Sequence, residues 1–353
     1  MKHEMRLGLW TLVLLHFLGL SAAGLRAQRG PAREFIKISD NLYRTRNGGW
    51  YGLVYVTPGG IVLADPISTD FAGWVKTELE RRFPGVPVRY IIYSHSHWDH
   101  IEGASVFGDA PKVVAQEGVL RNMDGRYPHM PGDMVDRNNN GQFELEEIVG
   151  PAMAHPGICG MPASFFQTHD RNRDGHMTPA EYYAEVRPPD IVYSDRMQLR
   201  LGGKTIELVF PGKNHADDGT VIVLPAEHVA FAADFPADAL VRNSLRSLPS
   251  ACGNFDGHSV SEWIRSYKII ESLDFDLLAG GHGSVLFKKS DVAEARQFFE
   301  DLIASVSAGM AGGKSLEDLK RIITLEKYSG WAYYQRLHED NIEAAYNNLK
   351  AYR

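Results

Sequence analysis

The sequence is poor in cysteine, with two thiols in 353 residues, Cys159 and Cys252. They permit at most one bridge, and sequence alone does not bring them within bonding distance. There is no excess of positive charge: 37 Lys and Arg stand against 44 Asp and Glu, for a net charge of −7. That balance gives no electrostatic reason to expect nucleic acid as a partner. Beyond residue 20 the chain also lacks any apolar run that could span a bilayer. What remains, 44% hydrophobic and 23% charged residues, suits a globular protein of one large domain or two ordinary ones.

The one long apolar run is N-terminal. Lys2 and Arg6 precede Leu7 to Leu20, and the small residues Ser21, Ala22, Ala23 and Gly24 come next. This is the order of a secretory signal peptide, here residues 1–27, with a cut after Ala23 or Ala27. The expected mature chain, 28–353, is secreted or periplasmic and keeps no stable membrane span. Its oligomeric state is open.

From Glu34 to Pro66 short strand-like runs, FIKI, LYRT, GLVYVT and GIVLAD, alternate with turn residues. An amphipathic helix is expected over 68–82 and a buried strand over 88–93. A segment rich in Pro, Asn, Asp and Met, about 120–188, interrupts the pattern. Strands resume between 191 and 232, a helix is expected near 259–273, and the extension 289–353 reads as helical. The class is α/β, one domain broken by an insertion and closed by helices.

The buried strand runs directly into Ser94-His95-Ser96-His97-Trp98-Asp99-His100. In an open α/β sheet the carboxyl ends of strands form the mouth of the site. Alternation puts His95 and His97 on one side of the extended chain, and Asp99 and His100 turn into the next loop and helix. Four ligand-type residues within six positions suit zinc, and also iron or manganese.

This run resembles the HxHxDH motif of the metallo-β-lactamase superfamily. The remaining family pattern is matched in order: Pro211-Gly212-Lys213-Asn214-His215, then Ala233-Asp234, then Gly281-His282-Gly283, with Asp65 at a position that is mainly structural. The resemblance covers about 35–120 and 190–285 and implies an αββα sandwich. It further implies that His95, His97 and His215 hold one metal, that Asp99, His100 and His282 hold a second, and that Asp234 bridges them. Asp99 would also orient the attacking hydroxide and is the candidate catalytic residue. Trp50 and Tyr51, beside the turn Gly48-Gly49, are candidates for a lid over a substrate.

Within the insertion, Asp136-Arg137-Asn138-Asn139-Asn140-Gly141 and Asp170-Arg171-Asn172-Arg173-Asp174-Gly175 each begin an EF-hand loop of the form D-x-[DN]-x-[DN]-G-x5-E. Oxygen ligands are expected from Asp136, Asn138, Asn140, Gln142, Glu144 and Glu147, and from Asp170, Asn172, Asp174, His176, Thr178 and Glu181. Gln142 and His176 would offer backbone carbonyls, and the two glycines permit the sharp turn. Phe143 and Met177 are apolar at position 8, as needed to pair two loops. Up to two calcium ions are expected, stabilising the helical insertion; Pro128, Pro131 and Gly132 make a poor entry to the first loop.

The expected function is that of an exported binuclear zinc metallohydrolase. It would cleave an ester, thioester, lactone or similar small substrate through a metal-bound hydroxide. Three readings compete: a metallo-β-lactamase acting on β-lactams, a persulfide dioxygenase with a single iron, and a non-enzymatic calcium-binding protein. The pattern of ligands does not name the substrate.

Overall fold

Residue alternation along the strands decides which side of each sheet faces which layer. In GLVYVT, Leu53 and Tyr55 point one way and Val54 the other, and all three are buried. A strand buried on both faces must lie between two layers. The computed structural model describes residues 32–123, 136, 138–148, 163–236, 255, 258–283 and 286–352. The expected leader 1–27 and both cysteines lie outside these residues.

Seven strands form the first sheet: β1 (Arg33–Lys37), β2 (Leu42–Asn47), β3 (Trp50–Thr57), β4 (Gly60–Ala64), β5 (Val88–Ile92), β6 (Lys112–Gln116) and β9 (Ile191–Tyr193), in that spatial order. The pairs are antiparallel up to β4 and parallel from β4 to β9. The second sheet runs β10 (Arg196–Leu201), β11 (Lys204–Val209), β12 (Val221–Leu224), β13 (Val229–Phe231), β14 (Leu277–Ala279) and β15 (Leu286–Lys288). Leu53, Tyr55, Val62 and Ile92 of the first sheet pack with Ile206, Leu208, Ile222 and Phe231 of the second. This dry layer is the join of a sandwich.

The outer faces carry helices. Helix α1 (Thr69–Arg82) starts where the Ser68 hydroxyl accepts a bond from the Phe71 N–H. It buries Phe71, Val75 and Leu79 against Val54, Ile61 and Leu63. On the other outer face, Ser259 and Glu262 form a capping box that opens α7 (Val260–Glu271). Its Trp263, Tyr267 and Ile270 join Phe298, Phe299 and Leu302 of α8 (Lys289–Ala311) over Val221, Val223 and Ala230. Helices α9 (Leu316–Ile322) and α10 (Tyr334–Ala351) complete that layer. The order of layers is helix, sheet, sheet, helix. No helix among the described residues is long and apolar enough to cross a membrane.

Three short helices lie between β5 and the insertion or within it: α2 (Trp98–Ile101), α3 (Gly118–Met123) and α4 (Leu145–Ile148). Two more, α5 (Ala163–His169) and α6 (Pro179–Tyr182), flank the second acidic loop. The segment has little strand, as expected, but one small ladder matters. Strand β7 (Phe143–Glu144) pairs with β8 (His176–Met177), and Phe143 faces Met177. Strand β15 has no signature in the sequence, because it runs directly into α8 at Lys289 with no turn residue to mark its end.

Candidate metal centre

Five strand ends converge at one edge of the sandwich. β4 delivers Asp65, β5 delivers His95 and His97, β11 leads to His215, β13 leads to Asp234, and β14 leads to His282. Asp99 and His100 lie on α2. The seven side chains expected from the sequence meet as two adjoining groups: His95, His97, His215 and Asp234, and then Asp99, His100 and His282.

Asp234 stands between them. Its Oδ2 lies 3.0 Å from His215 Nε2 and 3.5 Å from His95 Nε2. Its Oδ1 lies 3.0 Å from His282 Nε2 and 3.1 Å from His100 Nε2. One carboxylate thus turns one oxygen to each group. The imidazole nitrogens also crowd one another: His215 Nε2 is 3.1 Å from His97 Nδ1, and His100 Nε2 is 3.3 Å from His282 Nε2.

Neighbouring groups fix each ring. Asp65 is fully buried and accepts the Ser94 N–H at 2.9 Å through Oδ1. Its Oδ2 lies 3.0 Å from His100 Nδ1, so that ring nitrogen donates and Nε2 points toward the cluster. The Ser94 hydroxyl sits 2.9 Å from His95 Nδ1 and aims His95 Nε2 the same way. Asp65 has φ +53° and Ile67 φ +70°. The latter is strained for a β-branched side chain, and it is held by a bond from Ile67 N to the His100 carbonyl at 3.0 Å.

Charge in this buried cluster is unevenly shared. Burial works against an ionised Asp234, but His282 and His100 outweigh it and hold the carboxyl well below its usual range. Burial likewise opposes a charged His100, yet Asp234 and Asp99 lift it well above the usual imidazole range. His97 is pushed well below that range by burial and then by His95 and His215.

The residues fit a pair of divalent cations. His95 Nε2 is buried with no hydrogen-bond partner among the described residues. A buried ring nitrogen without a partner, facing other imidazoles and carboxylate oxygens, is costly unless a cation sits among them. The donor set, five imidazoles and two carboxylates, suits zinc, iron or manganese equally well.

Several supporting residues carry no signal in the sequence. Arg44 is 2% exposed, and its Nη2 donates to the carbonyls of Gly280 and Gly283 at 2.8 and 2.7 Å. Burial lowers its pKa to about 10. A cation at an inward strand position is the one available clue. Asn122 on α3 donates to Asp217 at 2.9 Å and Asp218 at 2.8 Å, and Asp218 accepts the Ser96 N–H at 3.3 Å. Burial, reinforced by Asp217, raises the Asp218 pKa. Gly281 passes so close to the cluster that a Cβ there would lie 2.9 Å from His100 Cε1 and from Ala233.

The two lid candidates part company. Tyr51 is 2% exposed, and the Arg44 guanidinium lies 3.9 Å above its ring. It is a core residue, because strand alternation turns it away from the mouth. Trp50 faces the cluster and donates its indole N–H to Asp99 Oδ2 at 2.9 Å.

The acidic loops lie apart from this centre and repeat one bonding pattern. Asp136 accepts from Asn140 N and Gly141 N at 3.1 and 2.8 Å; Asp170 accepts from Asp174 N and Gly175 N at 3.2 and 3.0 Å. Asn138 and Asn172 each accept the N–H two residues on, as do Asn140 and Asp174. Glu147 accepts from Asn138 N and Glu144 N. Glu181 accepts from Asn172 N and Thr178 N. Gly141 and Gly175 turn at φ +81° and +89°. Gln142 and His176 occupy the seventh place in each loop. The helices around the second loop reach the metal cluster's motif: Tyr182 OH accepts the Trp98 N–H at 3.1 Å, and the Trp98 ring packs on Phe165 and His169.

Residues 48–282 match the family model of the Metallo-beta-lactamase superfamily. Among curated proteins, the chain is 20% identical over 304 residues to 2,4-dinitroanisole O-demethylase subunit alpha of Nocardioides sp. (strain JS1661), covering 86% of this chain and 69% of that one. It is 21% identical to the linear primary-alkylsulfatase of Pseudomonas sp. (strain ATCC 19151), covering 70% of this chain and 44% of that protein. Among solved structures, the stereoselective inverting sec-alkylsulfatase Pisa1 from Pseudomonas sp. superposes with a TM-score of 0.61 at 16% identity, over 91% of this chain and 51% of that one. The chain therefore spans about half the length of the two sulfatases, and the structural likeness concerns the fold.

Proposed function

Because the chain belongs to the metallo-β-lactamase superfamily, we propose that it is a metal-dependent hydrolase with two adjacent cation positions, acting on a small ester-type substrate. The observation that carries this reading is the division of Asp234 between the two groups, one oxygen to each. His95, His97 and His215 would hold one ion, Asp99, His100 and His282 the other. Divalent ions there would supply Lewis-acid polarisation of a substrate oxygen and acidify a shared water toward neutral pH.

The chain's own groups do the rest. Asp65 holds His100 Nδ1 and so turns Nε2 toward the cluster, and Ser94 turns His95 inward. Asp99, at the rim and less buried than His100, is placed to orient the attacking oxygen and receive its proton. A cavity at this strand-end edge, lined by His95, Asn214, His215, Asp234 and Phe235, gives a small substrate a place beside the first group.

The curated relatives are named as an O-demethylase and an alkylsulfatase. Alkyl sulfates and aryl methyl ethers therefore join carboxylic esters, thioesters, lactones and β-lactams as test substrates. On this reading residues 1–27 are a leader, the hydrolase spans 28–353 in a secreted or periplasmic setting, and 120–188 is an EF-hand insertion binding up to two calcium ions. The repeated bonding of the two loops and the Phe143–Met177 pair support the last point.

Metal analysis of the purified protein, with turnover on that panel, tests the proposal. Two equivalents of transition metal per chain are expected, with hydrolysis of at least one substrate class. Asp234→Ala should bind fewer than two and fall to background turnover. A single iron per chain with oxygen uptake on a persulfide would overturn the hydrolase reading.

A further inference from the structure

The tip of the β2–β3 hairpin does more than turn the chain. Residues 49–51 reach across from the first sheet and pair with residues 281–283: Tyr51 N donates to Gly281 O at 2.7 Å, and Gly283 N to Gly49 O at 3.2 Å. Trp50 forms a bridge with His282. Its ring meets the His282 ring edge-on at 6.1 Å between centroids. Its indole N–H reaches Asp99 Oδ2 at 2.9 Å. That same oxygen lies 3.6 Å from His282 Nε2 and 3.7 Å from His100 Nε2.

Trp50 thus touches two of the three side chains in the second group, and its hydrogen bond and its ring contact both fall there. We propose that Trp50 is a positioning residue for the second cation position, and that it sets that position's affinity separately from the first. The inference rests on the two-cation reading above.

The physical reason lies in Asp99. It is the more open of the two carboxylates, with 16% of its side chain exposed against 5% for Asp234. A carboxylate free to rotate about χ2 loses its orientation into solvent. The indole N–H occupies one lone pair of Oδ2 and leaves the other aimed at His100 and His282. Losing an outer partner of this kind typically costs about 10–100-fold in metal affinity.

The test is a Zn2+ titration against a competing chelator, comparing the full chain with Trp50→Phe. Phenylalanine keeps an aromatic ring at the hairpin tip and removes the donor. One of the two binding steps should be unchanged and the other should weaken by about 10–100-fold, with the melting temperature of the metal-free protein unmoved. In an Asp99→Ala background, Trp50→Phe should cause no further loss. Equal weakening of both steps would show a general structural role and overturn the proposal, as would two unchanged steps. Should Trp50→Phe fold poorly, ¹H–¹⁵N spectra of the unaltered chain decide: the Trp50 indole resonance should move with one of the two zinc equivalents and not with the other. Equal movement with both, or none with either, overturns the assignment. A parent chain that takes up a single zinc overturns the two-cation reading itself, a result distinct from all of these.

Discussion

Asp65 shows what one side chain does at this site. It is fully buried, carries a left-handed backbone, and serves both the Ser94 N–H and the His100 ring. Removing it leaves a buried imidazole and a buried amide without their acceptor. Asp65→Ala should therefore destabilise the chain by about 3–5 kcal/mol, read from chemical denaturation, and weaken metal binding by about 10–100-fold. A variant of native stability and affinity would show that the Asp65–His100 contact orients nothing. At this scale the sequence is informative where residue types are rare and ordered: seven ligand-type side chains are legible before any geometry. Arg44, Asn122 and Asp218 are not, because a single Arg or Asn carries no period and its partners lie about 100 residues or more away in the chain.

Among the elements, the paired acidic loops stand out. Their backbone N–H groups already point at the carboxylates of Asp136 and Asp170, and the loops meet through the Phe143–Met177 pair. The second loop is flanked by α5 and α6, which grip Trp98, the residue between His97 and Asp99. Calcium should raise the melting temperature and slow amide exchange over 163–186 and at Trp98. Millimolar chelator selective for calcium should reverse both, and Glu181→Gln should blunt the response. Unchanged exchange at Trp98 with and without calcium would separate the insertion from the metal centre. Each loop follows a fixed twelve-residue pattern, which is why the sequence alone raises the calcium expectation. Helix ends are less legible: the exit helix of the second loop spans Pro179–Tyr182, and its packing of Tyr182 beside Phe165 and Met177 depends on residues outside the loop pattern.

For the molecule as a whole, the layer order is readable from the alternation of strands and the helical C-terminus, whereas the packing between layers is not. α8 is not an appendage. Phe298, Phe299, Leu302 and Val306 are buried against α7 and the outer face of the second sheet. Phe299→Ala should cost about 3–5 kcal/mol through the cavity it leaves, measured as a shifted denaturation midpoint, while metal stoichiometry stays at the parent value. A midpoint shift near zero would mean that this layer is dispensable to the core.

The contact between Arg44 and the carbonyls of Gly280 and Gly283 joins residues 236 and 239 positions apart. Its consequence is one of timing. The ribosome makes Arg44 early and the turn at 280–283 late, so an emerging chain can complete its first sheet with the closing turn still unmade. Contacts this distant in sequence form slowly and only after a large loop has closed. His282 rides on that turn, and β15 and α8 follow it, so a chain truncated before the turn would lack both part of its mouth and the helices over its second sheet. Most of the chain must be synthesised before the cluster can exist at all.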